Sequence, residues 1–83
     1  MPWYDFLWSY EVDGNYEHIA EHGISPDEVE WVVQYPLEVG SSRSSGRPVA
    51  VGRTPEGRLL IVVYEQIDDL TIYPVTAYEV EGA

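Results

Sequence analysis

The chain has no cysteine and no lysine, and its four arginines face fifteen aspartates and glutamates, for a net charge of −11. Without cysteine there is no disulfide, no thiolate nucleophile and no Cys-based zinc site. No apolar run approaches the ~18 residues of a membrane-crossing helix, so no membrane partner is expected. The opening Met1-Pro2-Trp3-Tyr4-Asp5 lacks the basic-then-apolar order of a secretory leader, which makes the cytoplasm the expected location. No cofactor is expected. The excess of carboxylates sets up a field that repels nucleic acid and anionic lipid and favours a basic partner. The few cations are not dispersed, however. Arg43, Arg47, Arg53 and Arg58 all lie in one stretch with no other cation on either side. They form either a local positive patch or a set of solvated loop and strand-end residues.

What remains is a single small domain, residues 1–83, with 45% apolar residues, three Trp and seven Tyr. A domain of this size buries roughly 60 to 65% of its unfolded surface, so bulky aromatics matter to its core. Residues 3–10 alternate as a strand would, with Tyr4, Phe6, Trp8 and Tyr10 on one face and Trp3, Asp5, Leu7 and Ser9 on the other. Four aromatics on one face read as core; a base-stacking platform would want basic neighbours. Asp13 or Asn15 then caps a short helix running through His22, and Gly23 supplies its left-handed stop. Ser25-Pro26-Asp27-Glu28 spells a capping box with proline at the first helical position. Val29, Val32 and Val33 make an apolar stripe, and Pro36 ends this second helix near Tyr35.

Residues 40–46, Gly-Ser-Ser-Arg-Ser-Ser-Gly, read as a polar loop. Three strand-like runs follow. The first spans 48–53 and ends in the Thr54-Pro55-Glu56-Gly57 turn. The second, 58–64, is a nearly continuous apolar run expected to be buried on both faces. After a turn at 66–69, the third covers 70–78, and Pro74 within it marks a bulge or an edge. The tail from Glu79 is expected to fray. The expected fold class is α+β, in the order β-α-α-β-β-β, with both helices on one face of a small antiparallel sheet.

Several of these residues carry a resemblance. Asn15, His22, Gly23, Ile24 and Ser25 fit a helix-pair motif. Gly52, Thr54, Gly57, Arg58, Leu59 and Leu60 fit a hairpin motif, and Val75, Thr76 and Ala77 fit a closing strand. In that order they resemble the BrnT-like family of small bacterial proteins, whose best-known members are ribonuclease toxins of type II toxin–antitoxin pairs with a RelE-like fold. The match spans nearly the whole chain. Each motif is weak alone, and their order and spacing carry it. The resemblance implies an RNA substrate and a cognate antitoxin-like partner. The chain departs from the family pattern where charge matters. Tyr78 stands in place of an arginine, Glu21 stands where lysine is common, and a basic C-terminal helix does not follow. These departures imply weakened or lost catalysis.

Metal-independent RNA cleavage needs a base, an acid and cations on the phosphorane. His22, Arg53 and Arg58 are the catalytic candidates, with His22 as base or acid and the arginines as phosphate forks. Glu21 or Glu79 would orient the imidazole. Arg43, Arg47 and Tyr78 are candidates for holding substrate. The plainer readings are a helix-end histidine favoured by the dipole, strand-end arginines with solvated heads, and an edge tyrosine. His18-Ile19-Ala20-Glu21-His22 also spells H-x-x-E-H, a zinc motif that places two imidazoles on one helix face. No third ligand is evident, the helix is short, and no metal site is expected. Two functions stay open: a BrnT-like ribonuclease whose His22, Arg53 and Arg58 meet in one hollow, and a non-catalytic module that binds a basic protein partner.

Overall fold

A computed structural model describes residues 4–80 of the chain. Seven elements follow in order: β1 (Asp5–Phe6), α1 (Asn15–Ala20), α2 (Pro26–Gln34), β2 (Glu38–Ser41), β3 (Pro48–Arg53), β4 (Leu59–Gln66) and β5 (Thr71–Glu79). The fold is α+β, with the two helices packed on one face of a small sheet. The sheet has five strands in the order β1-β5-β4-β3-β2, one strand more than expected. β2 to β5 form an antiparallel meander, while β1 joins β5 in parallel, so the sheet is mixed.

Local chemistry explains the best-defined elements. α2 begins at Ser25, whose side chain accepts from the Glu28 N–H, and Glu28 accepts in return from the Ser25 N–H, with Pro26 at the first helical position. Its stripe Val29, Val32 and Val33 is buried, and Trp31 is 40% exposed on another side. β3 ends where Thr54-Pro55-Glu56-Gly57 turns, closed by a Gly57 N–H bond to the Thr54 carbonyl, with Gly57 at φ +93.

Other expectations need correcting. α1 is capped by neither Asp13 nor Asn15. Gly14 is the N-cap and gives no side-chain bond, Asp13 takes a left-handed φ of 66, and Asn15 is the first helical residue. Gly14 is required by crowding, because a Cβ there would lie 2.6 Å from the Ser9 carbonyl oxygen. The helix stops at Ala20; His22 sits in the turn beyond it, and Gly23 takes φ +76 as a stop residue should. β2 occupies ground partly assigned to the polar loop. It is an edge strand, exposed at every position, held only by β3. The first strand is far shorter than residues 3–10: only Asp5 and Phe6 pair with β5. Tyr4, Phe6 and Trp8 do pack against the core, but Tyr10 is 70% exposed. Trp3 and the last three residues of the expected frayed tail lie outside the described residues, and Glu79 belongs to β5.

The core lies between the helices and one face of the sheet. Ala50 of β3, Leu60 and Val62 of β4, and Ile72 and Ala77 of β5 meet Ile19, Ile24, Val29, Val32 and Val33. β4 is therefore buried on one face, not two. Leu59, Ile61 and Val63 alternate with the core residues and are only half-buried, because both described helices sit on the other side. At Pro74 the sheet slips by one residue: Val63 pairs with Thr76 and Tyr64 with Pro74, leaving Val75 as the extra residue of a bulge. A bulge resets the side-chain alternation. It returns Ala77 and Glu79 to the helix side and sends Tyr78 to the open face.

Candidate functional site

Three α1-face residues, Asn15, His18 and His22, are spaced three and four apart and so share one side of the α1 turn. All three reach β5, beyond the point where β1 stops covering its edge. Asn15 is 5% exposed. Its amide donates to the Leu7 and Pro74 carbonyls at 2.9 Å each, and its Oδ1 accepts from the Ser9 N–H at 2.7 Å. The side chain thus stands in for strand pairing where β1 has ended. His18 Nε2 lies 3.0 Å from the Thr76 hydroxyl. His22 Nδ1 lies 2.6 Å from the Ala77 carbonyl. A carbonyl only accepts, so Nδ1 carries the proton, and in the neutral ring Nε2 is an open acceptor. The two imidazoles stand 5.2 Å apart between ring centres. Neither Glu21 nor Glu79 orients His22; the Ala77 carbonyl does.

Beside this edge lies the best-connected cation. Arg58 precedes β4 and points to the helix side, where its Nη1 donates to both oxygens of Glu28 at 3.0 and 2.8 Å. Its Nε and Nη2 donate to Glu79 Oε1 at 3.3 and 3.0 Å. The hydrogen bond donated to Glu79, and after it the bond and charge of Glu28, hold the guanidinium above its ordinary pKa against the opposing effect of desolvation. Glu28 therefore does two jobs, capping α2 and neutralising Arg58. Its place in a capping box was legible from sequence spacing. Its partner, thirty residues away, was not.

The other candidates lie elsewhere. Arg53 is two residues on from Val51 and opposite in facing to the buried Gly52, so it leaves β3 on the helix-free face; its Nη1 donates to the Gly57 carbonyl at 2.7 Å. Arg47 pairs with Glu65 at 3.0 Å. Arg43 is exposed in the Ser-rich loop and forms no ion pair among the described residues. Tyr78 is 44% exposed beside Ile61 on the open face. His22 and Arg58 do approach the same end of β5, since their partners Ala77 and Glu79 are two residues apart, roughly 7 Å of strand. The meeting of His22, Arg53 and Arg58 in one hollow does not occur, because Arg53 and Arg58 stand on opposite faces of the sheet.

A hollow of about 300 Å³ does open next to the histidine face. Asp13, Glu17, Glu21, His18 and Tyr73 line it, with no arginine. Among the described residues no three His, Asp or Glu side chains are grouped as a metal would need, so the H-x-x-E-H spacing acquires no third ligand. No described helix is long and apolar enough to cross a membrane. Comparison of the chain with family models, with curated proteins and with solved structures gives no match.

Proposed function

We propose that this chain is a non-catalytic, BrnT-like binding module that recognises a basic protein partner through its acidic surface. The observation that carries this reading is the state of the cations. Arg58 is held between two carboxylates, Arg47 is held by a third, and Arg53 is turned to the other face. A phosphate would have to displace those carboxylates, and no second guanidinium stands ready beside Arg58. The helix side, by contrast, presents Asp13, Glu17, Glu21, Asp27 and Glu30 with little to neutralise them. Fold resemblance extends less securely to activity than to architecture.

The test has two arms. The purified chain is mixed with a small basic protein at 50 mM and 500 mM salt. Association at low salt that weakens at high salt is expected, because attraction between exposed charges is screened. No association at low salt overturns the reading. Incubation with RNA is expected to leave the RNA intact. One observation favours a ribonuclease as the second reading: His22 is exposed, with Nδ1 held by the Ala77 carbonyl and Nε2 turned away from that bond. RNA cleavage that His22→Ala abolishes would establish that alternative.

A further inference from the structure

We propose that the helix-free face of the sheet is a self-association surface, on which a second copy of this chain packs face to face. The register sets out what that face carries. Val49 of β3 lies beside Val63 of β4, and Val51 lies beside Ile61, which lies beside Tyr78 of β5. Leu59 extends the patch alongside Arg53. The aliphatic residues are each half-buried and Tyr78 is exposed, so they present a continuous apolar surface that no described helix covers.

Charge selects the occupant. Among the strand residues that alternate onto this face, Asp5, Glu38 and Glu65 oppose Arg47 and Arg53, and Arg47 is already paired with Glu65. That leaves −1 on a molecule whose net charge is −11. A basic partner finds its complement on the helix side, not here. Two copies meeting helix side to helix side would bring acidic surfaces together. Face-to-face packing turns both helix layers outward and keeps their charges farthest apart, with the sheets about 10 Å from each other as in a sandwich. Four strands about 4.8 Å apart and six residues long give a plan of roughly 19 by 20 Å. That plan of roughly 380 Å² per copy falls below the roughly 600 Å² per copy of the smallest standard interfaces. The dimer is therefore concentration-dependent, and it strengthens with salt as the residual repulsion is screened.

Sedimentation of the full chain between 5 µM and 1 mM tests this. The mass is expected to move from 9.4 kDa toward twice that value, with the midpoint at least threefold lower in 500 mM than in 50 mM salt. Tyr78→Lys, at an exposed position, and Ile61→Lys are both expected to keep the chain monomeric at 1 mM, with circular dichroism confirming the fold of each. Val39→Lys separates this from edge-to-edge pairing of β2, because Val39 lies on the free edge strand and alternates to the helix side. It is expected to leave association unchanged. A monomer at every concentration and salt overturns the proposal. So does a dimer lost with Val39→Lys but kept with Tyr78→Lys.

Discussion

Asn15 shows how much one side chain can decide. Its three hydrogen bonds join the segment after β1, the bulged strand β5 and the start of α1. Asn15→Ala leaves the Ser9 N–H and the Leu7 and Pro74 carbonyls without that partner. The expected loss is about 3 kcal/mol, read as a fall in denaturation midpoint. His22→Ala, whose bond is on an exposed ring, is expected to cost under about 1 kcal/mol in the same measurement. Tyr64 gives a second test. Burial, followed by repulsion from Tyr4, raises its phenol above its ordinary pKa near 10. A folded value above the unfolded one means the contribution is complete below the unfolded value and is lost as pH rises through the folded one. Stability is expected to fall as pH climbs past about 10, and Tyr64→Phe is expected to flatten that part of the curve. An unchanged alkaline slope in the variant would show that other groups cause it.

Among the elements, α2 was the most legible. Its capping box, N1 proline and valine stripe are local signals, and each reappears in the fold. Glu28 links that local signal to a distant one, and two variants separate its roles. Glu28→Gln keeps an oxygen for the Ser25 N–H but removes the charge facing Arg58. A cost of about 1 kcal/mol is expected, modest because the pair is partly solvated. Glu28→Ala also removes the acceptor of the Ser25 N–H while leaving the Ser25 cap on its own backbone N–H, and about 2 kcal/mol is expected, measured by thermal or urea unfolding. β2 was hidden for an opposite reason. Glu38-Val39-Gly40-Ser41 has no strong strand residue beyond valine, and the strand forms only because β3 offers it an edge. β1 is shorter than its alternation suggests: the Leu7 N–H still bonds the Ile72 carbonyl, but from the Leu7 carbonyl onward Asn15 replaces backbone pairing.

For the whole molecule, the dominant feature is uncompensated charge. Three ion pairs are present among the described residues, and the −11 of the chain is spread mainly over the helix side and the turns. Self-repulsion of that size opposes compactness. At low micromolar concentration the melting temperature is expected to rise by several degrees between 10 mM and 500 mM salt, because screening relieves repulsion more than it weakens three partly exposed pairs. A flat or falling salt response would mean that the pairs matter more than the excess charge. The arginine stretch shows the same contrast between chain and molecule. Clustered in sequence, its members separate in space: Arg53 pairs with Leu59 and shares its face, while Arg58, one residue earlier, faces the other side of the hairpin.

The sequence by itself determined the fold class, the position of α2 and the β3–β4 turn, and it marked Pro74 as either a bulge or an edge. Each of these rests on chemistry within a few residues: caps, proline, glycine and alternation. Only the tertiary structure decided which groups meet. The bulge reverses the facing of everything after Val75, so it places Glu79 against Arg58 and turns Tyr78 away. Strand order, set by contacts far apart in the chain, leaves the β5 edge open for Asn15, His18 and His22. A one-residue slip flips every later side chain to the other face, and no local pattern specifies where that slip falls relative to its partner strand.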